Sequence, residues 1–355
     1  MPTLWNWSAV SEDGWVDDVP AVNWSTSVEQ AEWIAERLAP SGTGLVTEVV
    51  PGGFEAYARL LHPAKGPGQR WEDTVRWAEI AAWSGMPLRS DSQFASVALP
   101  PHEPQDPAPW DAGPLRGSLD AVDAAALVGI LATHTAAPGC CWFCVWDGYG
   151  WDNAVLFTVG GSPDVPLKAA DPVPAGVRAG PRVRLPGRDY LLYSGAVDDA
   201  LAFVDSEGQT PNLWWPADRS WCVASEIDLA WTYIGGSAEL VRRLESESRI
   251  EVLPASPKDS HRPPLEGWLA GQIDDAVGRL LRAGETSIET SRGTVHATLR
   301  RPTRWGRRGR LQTTTVGRNG SSGEGWTGLN DVDEEPLQQA LSFDLTFAVL
   351  GLVDT

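Results

Sequence analysis

The sequence predicts an α+β protein in which mixed or antiparallel sheets pack against helices, in two domains. Helical and strand periods are interspersed without a repeat, which favours α+β over a doubly wound sheet. The chain of 355 residues exceeds one ordinary core. Its charge is also uneven, with 35 acids against 18 bases up to residue 262 and 12 against 10 from residue 263. The expected division is an acidic α+β domain over 1–254, a Pro-rich linker over 255–264 (ASPKDSHRPP), and a small α+β domain with an Arg-rich hairpin over 265–355.

In chain order, Ser27-Val-Glu-Gln30 reads as a capping box opening a helix through Leu38, which Pro40 and Gly42 stop. Extended runs follow at 44–50 and 54–61. A helical period over 75–83 ends at Gly85, suited to a left-handed cap. Residues 99–117 hold six prolines and read as a connection, and Ser118 is the expected cap of a helix over 119–134. The apolar run 140–147 and the segment 153–159 suggest a hairpin across Asp147-Gly-Tyr-Gly150. A Pro- and Gly-rich stretch over 161–187 precedes a strand at 190–193 and a short helix near 197–203. Cys222–Asp228 then reads as a strand, Ser237 as a helix cap, and 250–253 as a short strand. In the C-terminal part, an amphipathic helix from Trp268 stops at Gly284, and strands are expected at 286–290, 294–299, 309–316 and 341–349.

A net charge of −19 argues against general affinity for nucleic acid or anionic membrane. No segment reaches the ~18 uninterrupted apolar residues of a membrane span, and no basic flank precedes an apolar run, so a cytoplasmic protein is expected. Reduced thiols are expected for Cys140, Cys141, Cys144 and Cys222. The C-x-x-C of Cys141 and Cys144 opens a strand rather than a helix, and alternation points its thiols apart, so neither a redox pair nor a zinc knuckle is predicted. No metal or cofactor signature is present, and the five histidines are scattered.

Two stretches stand out. Pro211-Asn-Leu-Trp-Trp-Pro-Ala-Asp-Arg-Ser-Trp221 places Trp214, Trp215, Asp218, Arg219 and Trp221 together, either as a loop closing the core or as the wall of a binding cleft. Residues 292–318 carry eight arginines and no acid, with Arg304, Trp305, Arg307, Arg308 and Arg310 at the centre. Such a tip pairs with acids of this or another protein, or grips phosphate. Asp218, Glu226 and Asp228 lie close enough in sequence to act as acid and base in a cleft, or to form a solvated face.

Gly53-Phe-Glu-Ala-Tyr-Ala-Arg-Leu-Leu-His-Pro63, and the run from Pro211 to Asp228 followed by Thr232-Tyr-Ile-Gly-Gly236, resemble two motifs carried together by a group of actinobacterial cytosolic proteins. The resemblance covers most of 45–255, implies kinship without an activity, and transfers no catalytic residue. The expected function is therefore a non-catalytic binding or protein-interaction role through the Trp-rich loop and the Arg-rich hairpin. The alternatives are a hydrolase or transferase using Asp218, Glu226 and Asp228, and nucleic-acid binding through the arginine tip.

Overall fold

The computed structural model describes residues 22–40, 42–68, 73–100, 106–148, 173–204, 208–261, 267–290, 293–300, 309–317 and 322–329, together with Leu341 and Leu345. Helices and antiparallel sheets pack together in an α+β architecture. The chain divides into two compact units interleaved in sequence. One holds Trp5–His62 and Leu115–Arg262, and the other holds Met1–Leu4, Pro63–Pro114 and Pro263–Thr355. The stretch expected as a linker begins in a strand at Ala255, and its Ser260 bridges to Leu45.

The strands are β1 (Asn23–Ser25), β2 (Ala56–Leu61), β3 (Ala64–Lys65), β4 (Thr74–Val75), β5 (Cys141–Trp146), β6 (Val183–Leu185), β7 (Arg188–Gly195), β8 (Leu213–Pro216), β9 (Cys222–Ala224), β10 (Trp231–Gly236), β11 (Glu251–Ala255), β12 (Glu285–Thr290), β13 (Gly293–Arg300), β14 (Gly309–Gly317) and β15 (Ser322–Leu329). The first unit is built on a nine-stranded antiparallel sheet in the order β1-β7-β5-β8-β9-β10-β2-β11, with β6 paired to β7 beside β1.

Strand alternation sends successive side chains to opposite faces. Phe143, Tyr193, Trp214, Val223, Ile234 and Leu60 therefore share one face, in a single core with the helices Ala121–Leu131 and Ala238–Glu245. Phe143 stacks on Tyr193 at 4.7 Å. Asp120 caps the first helix by accepting from the Asp123 N–H at 2.8 Å. The expected cap Ser118 instead bonds to the Leu119 and Gly208 carbonyls. Ser237 caps the second helix as expected, through the Leu240 N–H.

Toward its edge the same face carries a small matched polar cluster, for Thr232 lies directly opposite Leu60. His62 Nδ1 lies 2.7 Å from the Leu115 carbonyl, which can only accept, so this nitrogen carries the proton. Nε2 then accepts from the Thr232 hydroxyl at 2.9 Å, and Thr232 and Ser225 share a further bond of 2.6 Å. Burial pulls the His62 pKa down to about 4, with the Arg59 charge adding to the effect.

Several local expectations are corrected. Ser27 makes no side-chain cap, and the chain enters a 3-10 turn at Val28–Ala31 before the helix Glu32–Arg37. The run at 44–50 is a 3-10 turn at Val46–Glu48, tied by Glu48 to the Gly42 and Gly44 amides. The Pro- and Gly-rich stretch ends in a short helix, Ala175–Arg178, and β6. The strand expected over 222–228 ends at Ala224. The hairpin partner expected at 153–159 lies outside the described residues; β5 pairs with β7 and β8.

In the second unit, β3 and β4 form a short pair, and Gly85 ends the helix Trp77–Ser84 in the left-handed conformation, φ 70°. Trp77, Phe94, Trp83 and Trp110 form an aromatic cluster. The helix Gly267–Ala283 buries Leu269, Ile273, Ala276, Val277 and Leu280 and packs on β12 and β13 of the antiparallel sheet β12-β13-β14-β15. Leu341 and Leu345, expected in a strand, are helical and buried.

Candidate functional site

The Trp-rich stretch folds as the β8–β9 hairpin. Because Trp214 and Trp215 are consecutive in β8, they enter opposite faces, opposite Phe143 and Trp142 of β5 respectively. Both faces are covered, and Trp214, Trp215 and Trp221 retain 1%, 1% and 0% of their exposure. Trp221 donates its indole N–H to the Leu131 carbonyl at 3.2 Å and meets Trp214 edge to face at 5.5 Å. These three residues close the core, and the reading of them as a contact surface is corrected.

The hairpin turn presents the charges. Asp218 accepts from the Thr135 hydroxyl (2.8 Å), the Ala136 amide (2.7 Å) and the Ser220 amide (3.1 Å). Partial burial pushes its pKa up, but those bonds outweigh it and hold the carboxyl below its ordinary value. With both ends of the turn fixed, Arg219 takes φ 55°, the only positive φ outside glycine among the described residues. That conformation costs roughly 1–2 kcal/mol for an L-residue. Arg219 is exposed, and its guanidinium lies over the Trp33 ring, 5.4 Å from the centroid.

Trp33 and Arg37, four residues apart on the helix Glu32–Arg37, complete the arrangement. The Arg37 guanidinium also lies over Trp33, at 5.4 Å. Trp33 is 4% exposed, wedged edge to face against Phe54 (6.3 Å) and Trp215 (6.1 Å). Gly52 donates to the Arg37 carbonyl at 2.9 Å, and Gly53 beside it takes φ 95°. Among the described residues neither guanidinium forms an ion pair, and the buried Trp33 Nε1 has no hydrogen-bond partner. This spot on an acidic protein presents two exposed cations beside one indole. Sequence reading nominated Arg219 but missed Trp33 and Arg37, whose Trp-x-x-x-Arg spacing on a helix was the available signal.

The carboxylate trio does not assemble. Asp218 lies in the turn before β9, and Glu226 and Asp228 in the turn after it. Arg188 engages both of the latter, donating through Nε to Glu226 at 2.8 Å and through Nη2 to Asp228 at 3.1 Å, while its guanidinium lies 5.1 Å from the Trp146 ring centroid. Glu226 also accepts from the Asp228 amide at 2.7 Å. Glu226 and Asp228 are thus tied together by Arg188, at the end of β9 away from Asp218.

Arg304, Trp305, Arg307 and Arg308 lie outside the described residues. Arg310 lies in β14, in register with Arg300 of β13. Cys140 is exposed, whereas Cys141, Cys144 and Cys222 are buried, and all four are free. Burial pushes the Cys141 thiol up to about 12, with Cys140, Asp218 and Asp199 adding to it, and pushes Cys144 and Cys222 well up. Among the described residues there is no group of three or more His, Cys, Asp or Glu placed to hold a metal ion, and no helix long and apolar enough to cross a membrane. No protein-family model, curated protein or solved structure matches the chain.

Proposed function

We propose that this chain is a non-catalytic binding protein that engages an acidic protein partner through the β8–β9 turn and the helix beside it. The observation that carries this reading is the pair Arg37 and Arg219 on one indole, with neither cation neutralised by an acid among the described residues. An exposed cation left open beside a rigid aromatic is suited to contact, since Trp and Arg contribute strongly to interfaces. The neighbouring acid supports the reading from the other side: Asp218 is engaged by Thr135, Ala136 and the Ser220 amide and would not compete with an incoming carboxylate.

The test is a titration of the full chain with a labelled Glu- and Asp-rich peptide at increasing salt, in wild type and in the variant R37Q/R219Q. Saturable binding that weakens with salt, and at least tenfold in the variant, is expected, because hydrogen bonds to charged groups are worth roughly 1.5–3 kcal/mol each. Equal binding by the variant, or no binding at all, overturns the reading. Preference for short DNA over the peptide would replace it with nucleic-acid binding.

A further inference from the structure

We infer that the ligand group at this site is a single oxyanion, a carboxylate or a phosphoryl group, shared by Arg37 and Arg219 beside Trp33. The inference rests on the functional reading above and narrows its chemistry. Both guanidiniums stand 5.4 Å from the same ring centroid, so at most twice that distance separates their carbon centres. Like charges within that range repel, an oxyanion bound by both relieves the repulsion, and planar guanidinium forks match the paired oxygens of carboxylate or phosphate.

The surroundings add one open donor and engage the nearest acid. Trp33 Nε1, on a ring only 4% exposed, is a buried donor with no partner among the described residues. Asp218, the nearest carboxylate in sequence, directs its oxygens to Thr135, Ala136 and Ser220. It thereby acts as a positioning residue, fixing the turn in which Arg219 holds its left-handed backbone. The site is presented by a short helix and a pinned hairpin turn, so little ordering remains to be done on binding.

The distinguishing measurement is the Trp33 indole N–H resonance in 15N-labelled full-length protein, assigned with W33F and followed during titration with inorganic phosphate and, separately, with acetate. The resonance is expected to move saturably with at least one anion, and the stronger arm identifies the phosphoryl or carboxylate source. Since one oxyanion bridges both cations, R37Q or R219Q alone should weaken binding at least tenfold, and the double variant little further. A resonance moved by neither anion, or single losses that simply multiply, overturns the shared-oxyanion inference. If the acidic peptide still binds in that case, the functional reading survives; if the peptide also fails, both fall.

Discussion

Trp33 meets Trp215 edge to face across 6.1 Å, so the helix carrying Arg37 and the strand leading to Arg219 are joined by one aromatic contact. W215A should therefore destabilise the protein by about 3–5 kcal/mol, the usual cost of emptying a buried Trp site. A lowered urea midpoint checks this. W215F, which keeps most of the apolar volume, should recover a large part of the loss.

Stability and binding should separate at Arg219. R219G removes the penalty of a left-handed L-residue, while glycine adds unfolded-state entropy, so the net change should be neutral to stabilising by about 1 kcal/mol. Affinity for the acidic peptide should fall at least tenfold. Loss of stability in R219G would show that the side chain matters mainly for packing on Trp33.

Acid should act through His62. Its pKa is about 4 in the folded chain against an ordinary 6.5. The unfolded chain therefore takes up the proton first as pH falls. This contribution is fully present above pH 6.5, is lost progressively toward pH 4, and totals about 3 kcal/mol. In chemical denaturation from pH 7 to pH 4.5, H62Q should show a shallower decline than wild type; parallel declines would refute the assignment.

Gly117 should tolerate no side chain. It has φ 72°, and a Cβ there would sit 2.6 Å from the backbone of Ile227. Its amide donates to the Leu229 carbonyl at 3.0 Å, so the segment cannot simply move away. G117A should cost more than about 2 kcal/mol in thermal or urea unfolding, since a backbone clash adds to the left-handed penalty.

Thiol titration should find one fast group. Cys140 is exposed, while the other three cysteines are buried with raised thiol pKa values. A chromogenic disulfide reagent should modify Cys140 in the native protein and all four thiols in denaturant. Prompt native labelling of C140S would contradict the buried placement.

Periodicity made much of the architecture legible. The alternation through Cys141–Trp146, the Ser237 cap and the left-handed Gly85 all follow from local chemistry. The Trp-rich stretch was legible as structure but ambiguous as function, because consecutive tryptophans in a strand are buried only when both faces of its sheet are covered. The Arg37–Trp33–Arg219 cluster joins a helix and a turn far apart in sequence, and no local pattern reports such a meeting. Glu226 and Asp228 looked like one face of a strand because nothing nearby signalled that Arg188 would hold them in a turn.

The sheet also sets a schedule for synthesis. Both partners of β2 come late: Leu61 pairs with Trp231 on one side and Glu251 on the other. At ribosomal rates of roughly 5–20 residues per second, the apolar strand waits on the order of ten seconds before either neighbour exists. A nascent chain in that interval carries an apolar strand with both edges unpaired.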